Sequence, residues 1–524
     1  MSNKRPIKRS NNSKSSRRNR SAKCAPKQDI FENSDLQSKN SQSNDVSWYN
    51  ANPNMLKTAG SLSFNNALGL DIYKSINDAA FMEPFPDKVW TIPGIMRLNI
   101  IPTIGKTGDP SSIVNIAARK IYAYVRHENS GHTNYDAPDL MLYILAMDNL
   151  YSFYNWITRL YGAIRLYSGF NRYYSKYLIT AMGVNYDDII KHGNDLYFML
   201  LNWAARLKTF HIPSTMSYLT RHAWLYSQIF KDSPDSKAQT YMFNPAYVYY
   251  WGENTGNWAL YPQQIMPSTD SPILLTFDRI CELMEQMISG VSRSEDFNIM
   301  SGDILKAYGN NTFTVSPVDI SYILEPVYSS EVLMQIHNAR INEQYKPGSI
   351  ISDPETTLIV NNSTCEMSQH SFSYLSHNTI VDLHNVEPSP ENVMVATRLS
   401  TSWISSAPGK ETLDWFGSEI VESCDVFTID GIDEGGTLGY AIHTDLIYGM
   451  RDDEIISRDV IIGTLRHVTP FGDYPIIYET FVNGAESEGV QNIYNNFDNY
   501  TIVTSVALSK LHECALLSEF GISD

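Results

Sequence analysis

Apolar residues at helical spacing dominate the first part of the chain. Asp109-Pro110 supplies a helix N-cap and a first-turn proline, and apolar residues then recur every three or four positions over 111–127. Asp136-Ala137-Pro138-Asp139 repeats this start signal ahead of a segment, 139–161, that is apolar on nearly every side. A helix that is apolar all round is normally buried on all sides. The second segment therefore predicts a central, buried helix.

Further helical patterns follow as far as about residue 310. A stretch rich in Pro, Asn and Gly, NPAYVYYWGENTGNWALYPQQ at 244–264, interrupts them and predicts a break between helices. The predicted helices cover about 171–182, 187–209, 214–230, 271–289 and 292–308. The first ordered part is thus predicted to be mainly helical.

From about residue 312, short β-type runs alternate with clusters of Pro, Gly, Asn and Asp. One predicted helix, at about 330–340, is embedded among them, and a C-terminal helix is predicted at about 496–518. The fold class predicted is α+β, in which the C-terminal helix returns to pack on the helical part and not on the strand-rich part. The predicted strand runs are TFTVSP, TTLIVNNS, VMVATRLSTSWI, CDVFTID, GYAIHTDLIYG, RDVIIGTLRHV and YPIIYETFV.

Charge is distributed very unevenly. Residues 1–28 contain ten bases and no acid, which leaves 30 bases against 57 acids in the rest, a net charge of −27. The basic stretch is rich in Ser and Asn and has no aromatic residue, so it cannot bury enough apolar surface to offset its ordering entropy. We predict a disordered basic arm, followed by a polar linker up to residue 47. The bases are Lys4, Arg5, Lys8, Arg9, Lys14, Arg17, Arg18, Arg20, Lys23 and Lys27.

A cationic arm on an acidic body is typical of sequence-independent RNA packaging. Lys and Arg displace condensed counterions from phosphates, and this contribution requires no fixed geometry. A nuclear-localisation signal or a solubilising tail has a similar composition. These alternatives stay open on the arm alone, and the ten bases are the candidate RNA-binding residues.

The chain shows no recognisable catalytic or metal motif. Gly105-Lys106-Thr107 lacks the earlier glycine of a phosphate-binding loop, because residue 100 is Ile. His127 and His132 lack a third ligand nearby, and the acidic residues 452–454 are read as a solvated loop. We therefore predict no catalytic residue, no metal and no cofactor, and a protein that is not an enzyme.

Cysteine usage and hydropathy indicate where the chain is made. The cysteines are odd in number and scattered, which is typical of a reducing compartment and predicts neither a zinc site nor a disulfide framework. The N-terminus has no apolar signal region, and the most apolar stretch, 140–161, is interrupted by polar residues. We predict a protein made in the cytoplasm without a membrane span. The five cysteines are Cys24, Cys281, Cys365, Cys424 and Cys514.

The segment from Asp45 to about Arg165 closely resembles the coat proteins of picobirnaviruses. The resemblance is carried by NDVSWYNANPNMLKTAGSLSFNNALG, by WTIPGIMRLNIIPTIG and by a third, longer block. That block is SIVNIAARKIYAYVRHENSGHTNYDAPDLMLYILAMDNLYSFYNWITRLYG, in which NIAARKIYAYVRHENSGHTNYDAPDLM is the most distinctive part. The similarity covers the helical half.

The resemblance implies a small icosahedral shell, built from homodimers around a segmented double-stranded RNA genome. It implies genomic RNA, further copies of the chain and the viral polymerase as partners, and a virion protein made in the host cytoplasm. Some members lose an N-terminal peptide by self-cleavage, but no scissile bond is identified here. The alternatives are a coat protein of another small double-stranded RNA virus and a cellular RNA-binding or nuclear protein with a basic targeting arm.

The pattern and the resemblance together predict four regions. They are a disordered basic RNA-binding arm and linker at 1–47, a mainly α-helical shell domain at 48–310, a β-rich projecting domain at 311–488, and a C-terminal helical segment at 489–524 that packs on the shell domain.

Overall fold

A computed structural model of the chain describes residues 94–522 with internal gaps. The ten bases of the predicted arm and the predicted linker lie outside the described residues, as does RDVIIGTLRHV apart from its final valine. The gaps are 131–133, 167–173, 234–237, 255, 267–273, 343–344, 354–356, 362, 364–365, 369–377, 408–409, 430–437, 441–446, 449–467, 469–470 and 483–487.

The described helices and strands confirm a mixed α+β fold. The helices are α1 (Ile113–Glu128), α2 (Ala137–Ile164), α3 (Tyr174–Ala181), α4 (Tyr186–Ile189), α5 (Gly193–Leu207), α6 (Ser217–Ser227), α7 (Phe277–Arg293), α8 (Glu295–Tyr308), α9 (Ser330–His337), α10 (Pro390–Ala396) and α11 (Ser505–Glu519). The strands are β1 (Ile95–Pro102), β2 (Phe230–Lys231), β3 (Thr240–Pro245), β4 (Tyr247–Asn254), β5 (Asn257–Gln264), β6 (Val327–Tyr328), β7 (Ser349–Asp353), β8 (Thr357–Asn361), β9 (Glu366–Ser368), β10 (Asn378–Asp382), β11 (Ser402–Ala407), β12 (Lys410–Trp415), β13 (Glu419–Ile429), β14 (Leu438–Tyr440), β15 (Ile447–Tyr448), β16 (Ile477–Val482), β17 (Glu488–Tyr494) and β18 (Tyr500–Thr504).

Helix α2 forms the centre of the helical part, as its sequence predicts. The helix starts at the predicted signal, where the Asp139 side chain accepts a hydrogen bond from the Asp136 backbone N–H (3.4 Å) and Pro138 occupies the first turn. Most of its residues are buried, including Trp156 and Arg159. Helices α1, α3, α5, α6, α7 and α8 pack around it. An all-round apolar helix thus becomes the core of the fold.

The largest described sheet joins strands from both halves of the sequence. Its order is β14-β13-β1-β3-β2-β6, and β1, which was not predicted from the sequence, is buried at every position. Strand β13 pairs antiparallel with β1, Ile95 facing Phe427, while β3 pairs with the other edge of β1 in parallel. The strand-rich half therefore extends a sheet that begins in the helical half. The described elements lie within one compact unit, Asn65–Asp524.

The predicted break between helices at 244–264 is present, but the segment is not irregular, because it forms the hairpin β4–β5. The two strands pair antiparallel from Tyr247 opposite Gln264 to Asn254 opposite Asn257. Gly256 has φ +84 in the turn, a conformation that glycine adopts without a steric cost. The aromatic and β-branched residues of VYYW favour a strand, and this preference outweighs the Pro, Asn and Gly on which the prediction relied.

Two predicted strands also differ from the structure. The first half of VMVATRLSTSWI forms helix α10, because the Ser389 side chain accepts a hydrogen bond from the Asn392 N–H (3.2 Å) and Pro390 occupies the first turn. The run TFTVSP forms only an isolated bridge between Thr312 and Pro213. Local capping thus overrides strand propensity in the first case.

The C-terminal helix starts later than predicted. Strand β18 occupies the beginning of the predicted segment and pairs with β10, and the Thr504 side chain then caps α11 by accepting from the Ala507 N–H (3.3 Å). Helix α11 packs on α1 and α6, as predicted for a helix that returns to the helical part. It also contacts β11, β12 and β18, so the prediction that it avoids the strand-rich part is wrong. None of the described helices is both long and apolar enough to span a membrane.

The packing of α7 on β4 can be tested at a glycine. A Cβ at Gly290 would collide with the backbone carbonyl oxygen of Trp251. We expect Gly290→Ala to lower the free energy of unfolding by about 1–3 kcal/mol, because overpacking outweighs the helix propensity gained. Denaturant unfolding monitored by tryptophan fluorescence measures this change.

The matched control is Gly302→Ala in α8. No heavy atom lies within 4 Å of a Cβ at position 302. This variant should therefore raise the free energy of unfolding by about 0.5–1 kcal/mol, the usual gain for Gly to Ala in a helix. Equal effects of the two substitutions would contradict the described contact between α7 and β4.

Candidate functional site

Two of the residues considered for phosphate or metal binding have other partners, whereas His132 and the acidic residues 452–454 lie outside the described residues. Lys106 follows β1, and its Nζ lies 2.6 Å from a carboxylate oxygen of Asp414 and 4.6 Å from the ring centre of Trp415. His127 is exposed at the end of α1, where its Nδ1 lies 3.1 Å from Glu128.

Four charged residues meet in the interior at the junction of the helical and strand-rich halves. Arg221 and His222 come from α6, Asp148 from α2 and Glu419 from the start of β13. The Arg221 guanidinium donates to both oxygens of Glu419 from Nε (2.6 Å) and Nη2 (3.1 Å). His222 Nδ1 lies 2.8 Å from Asp148 Oδ2, and its Nε2 lies 3.5 Å from Glu419 Oε1. We call these four residues the junction network.

The charge of each residue in the junction network depends on its neighbours, because burial alone disfavours the charged form. Burial alone would raise the pKa of Glu419, but the positive charges of Arg221 and His222 outweigh it and hold that pKa below its ordinary value. Burial alone would lower the pKa of His222, but the charge of Asp148 and the hydrogen bond to it raise that pKa. Burial raises the pKa of Asp148. The buried positive charges are therefore what keeps Glu419 ionised.

Further polar residues extend the junction network to two more helices. Arg221 Nη2 donates to Gln335 Oε1 of α9 (2.9 Å), and Ser418 Oγ donates to Glu419 Oε2 (2.9 Å). Arg398 Nη1 lies 3.8 Å from Glu519 of α11. The arrangement is a structural connection between elements and offers no nucleophile activated by a neighbouring base.

A second, partly buried cluster lies among α9, β10, the segment before β16 and the segment before β18. His337 Nε2 lies 2.9 Å from Asp382 Oδ2, and His384 Nδ1 lies 3.2 Å from an oxygen of Asp498. Between the rings, His384 Nε2 lies 3.2 Å from His337 Nδ1 and 3.3 Å from Asp473 Oδ1. We call these five residues the His–Asp cluster.

The His–Asp cluster favours different protonation states for its two histidines. The hydrogen bond to Asp473 raises the pKa of His384 to about 9. Burial and the neighbouring His384 lower the pKa of His337, whose side chain is 1% exposed. His337 is thus held neutral, and one of its nitrogens is an acceptor.

Sequence reasoning found neither cluster. Arg221 and Glu419 are 198 residues apart, and His337 and Asp382 are 45 apart. No local pattern links residues at such separations. The one available signal is the type of residue, since charged and imidazole side chains embedded in apolar runs require buried partners.

Comparisons with known proteins agree on one family. The family model for the picobirnavirus capsid protein matches residues 48–423, which extends the similarity well beyond the helical half and includes the whole junction network. The capsid protein precursor of human picobirnavirus (strain Human/Thailand/Hy005102/-) is 30% identical over 549 residues, which cover 97% of this chain and 96% of the relative.

A solved structure has the same fold. The X-ray crystallographic structure of the picobirnavirus capsid superimposes with a TM-score of 0.73 at 20% identity, covering 91% of this chain and 98% of that chain. The likeness confirms the predicted α+β fold.

Breaking the junction network should destabilise the protein strongly. We expect Glu419→Gln to lower the free energy of unfolding by about 3–5 kcal/mol, because it leaves the partly buried Arg221 and the buried His222 without their counter-charge. The matched control is Glu285→Gln, which removes the same charge from a half-exposed pair with Arg206 (2.6 Å) and should cost at most about 1 kcal/mol. Denaturant unfolding of both variants measures the difference, and similar losses in the two would contradict this role.

Proposed function

The chain belongs to the picobirnavirus capsid protein family, and we propose that it self-assembles as homodimers into a small icosahedral shell that packages a double-stranded RNA genome. Its role as a structural protein of the virion follows from the family. Packaging is assigned to the basic arm, and the proposed partners are genomic RNA, further copies of the chain and the viral polymerase. Synthesis in the host cytoplasm is part of the proposal.

The packaging proposal rests on the uneven distribution of charge between the arm and the rest of the chain. Ten bases and no acid occupy residues 1–28, whereas the remaining residues have a net charge of −27. An acidic body repels RNA, so phosphate contacts should concentrate on the arms. Family membership rules out a cellular RNA-binding or nuclear protein. A targeting role of the arm is the alternative to packaging, and the experiment below distinguishes the two.

Exposed apolar residues support contacts between copies of the chain. Ile320 is 61% exposed and Ile323 is 47% exposed, and both precede β6 at the edge of the six-stranded sheet. Tyr500 and Val506 form a second group near the C-terminus, at 60% and 65% exposed. Interface cores are enriched in aromatic and apolar residues, and a closed shell requires several such contacts per subunit. We therefore propose these two groups as subunit contacts.

We propose that residues 48–310 form the continuous shell and that residues 311–488 form the outward projection. The strand-rich half consists of short strands joined by polar connections, which suits an exposed domain with variable loops. The pairing of β13 with β1 in the six-stranded sheet supports a firm attachment of the proposed projection to the proposed shell.

Self-cleavage of an N-terminal peptide is a further proposal, for which no catalytic residue is assigned. The human picobirnavirus relative is described as a capsid protein precursor, and a precursor is a protein that is later processed. Mass spectrometry of purified particles would identify a shortened N-terminus.

Deleting residues 1–28 tests the packaging role of the arm. Shells that lack the arm should show a lower 260/280 nm absorbance ratio, because the acidic remainder repels RNA. Binding of the isolated arm to duplex RNA should weaken with salt, with a slope of log K against log salt no steeper than about −9. Each Lys or Arg changed to Gln should flatten that slope by a little under one unit.

The control is an arm of identical composition in scrambled order. Because contacts to phosphates and 2′-hydroxyls carry no sequence information, the scrambled arm should restore full RNA content. Full RNA content in shells without any arm would contradict packaging by the arm and favour the targeting role. Strong discrimination between unrelated duplexes of equal length would also contradict the proposal.

A further inference from the structure

Three atoms of the His–Asp cluster that could act as metal ligands lie close together. His337 Nδ1 lies 3.2 Å from His384 Nε2, His384 Nε2 lies 3.3 Å from Asp473 Oδ1, and His337 Nδ1 lies 3.8 Å from Asp473 Oδ1. These atoms therefore form a triangle with two short sides and one longer side. Among the residues that the structure describes, this triad is one of two groups whose ligand atoms are close enough to share a cation.

The size of the triangle matches tetrahedral zinc coordination. Bonds of about 2.0–2.1 Å from Zn²⁺ to His nitrogen and carboxylate oxygen place neighbouring ligand atoms about 3.3–3.4 Å apart in a tetrahedron. Two of the three observed distances, 3.2 and 3.3 Å, lie close to this value, and the third is longer at 3.8 Å. A zinc ion could bind all three atoms once the two imidazole rings, whose centres are 3.8 Å apart, tilt away from each other, and a water molecule would complete the tetrahedron.

The remaining nitrogens of both rings already have the partners that zinc-bound histidines require. His337 Nε2 lies 2.9 Å from the buried carboxylate of Asp382, and His384 Nδ1 lies 3.2 Å from Asp498. Metal-bound histidines almost always donate their other N–H to such a group, which fixes the tautomer and the orientation of the ring. In this tautomer the two inner nitrogens, His337 Nδ1 and His384 Nε2, present lone pairs to each other, and a cation bound between them would satisfy both.

A proton on His384 is the competing occupant. An imidazolium could donate from Nδ1 to Asp498 and from Nε2 to Asp473. Its Nε2–H would be shared between His337 Nδ1 (3.2 Å) and Asp473 Oδ1 (3.3 Å). His337 is 1% exposed, and a shared hydrogen bond satisfies a buried acceptor less fully than a bond of its own. A metal ion satisfies all three acceptors at once.

We propose that His337, His384 and Asp473 bind a zinc ion, with Asp382 and Asp498 orienting the two rings. Two imidazoles and one carboxylate favour zinc over calcium or magnesium, which prefer oxygen ligands only. The ion would connect the end of α9, the segment after β10 and the segment before β16. The site is thus a structural metal site within the strand-rich half. This inference goes beyond the capsid role and does not depend on it.

The test uses full-length protein that has been stripped with a chelator and dialysed against Zn²⁺. Bound zinc is measured by elemental analysis, and Co²⁺ substitution reports tetrahedral coordination by visible absorption. His384→Asn and Asp473→Asn remove one ligand each. Asn suits position 384 because His384 has φ +49, a left-handed conformation that Asn tolerates. His127→Asn is the matched control, since His127 lies exposed on α1.

We expect the wild type and His127→Asn to bind one more zinc per chain than either ligand variant. Only these two proteins should gain a tetrahedral cobalt spectrum and a higher melting temperature on addition of metal. Asp498→Asn should keep the stoichiometry but weaken zinc affinity by about 10–100-fold, as is usual for an orienting group. Equal zinc content in the wild type and both ligand variants would overturn the proposal, and so would a wild type that gains no tetrahedral cobalt spectrum.

Discussion

The pairing of the Glu419 carboxylate with Arg221 in the interior is the interaction on which the arrangement of the two halves depends. Glu419 starts the strand that completes the central sheet against β1, and Arg221 lies on a helix that packs against the central helix α2. A carboxylate that is 0% exposed is tolerated only beside its counter-charge. The helical and strand-rich halves can therefore meet in few ways, because any displacement would separate these charges.

Hydrophobic burial and the buried charges have different roles in this fold. Helix α2 and strand β1 bury apolar side chains on all sides, which supplies stability without fixing a unique neighbour. The junction network fixes the relative positions of its elements, since its hydrogen bonds form only in one geometry. We infer that a capsid subunit, which must present its contacts in fixed relative positions, benefits from this specificity. The His–Asp cluster offers a second connection of the same kind within the strand-rich half.

The sequence predicts those parts of the fold that local rules control. The buried helix α2 was predicted from its apolar surface and from its Asp-Ala-Pro-Asp start, and both features are present. The hairpin at 247–264 was missed because Pro, Asn and Gly within it resemble a break, whereas pairing along the whole hairpin stabilises the strands. Helix α10 was missed because the β-branched residues of VMVATRLSTSWI favour a strand, whereas the serine cap and the proline that start the helix lie ahead of that run. In each case a tertiary contact or a cap decided between two local preferences.

Neither buried cluster could be predicted, because each depends on residues that only the fold brings together. His337, Asp382 and Asp473 are unremarkable in their own segments and have no motif spacing. The arm is the opposite case, since its function depends on composition and requires no fixed geometry. The ten bases of residues 1–28 are therefore as informative in the sequence as they would be in a structure.

Imaging the chain expressed alone tests the central claim most directly. Negative-stain microscopy of the sedimenting material should show closed shells of uniform diameter, because a capsid subunit carries all the contacts needed for closure. Sedimentation of the same sample should show a single large species. A monodisperse monomer at high protein concentration and moderate salt would contradict the account.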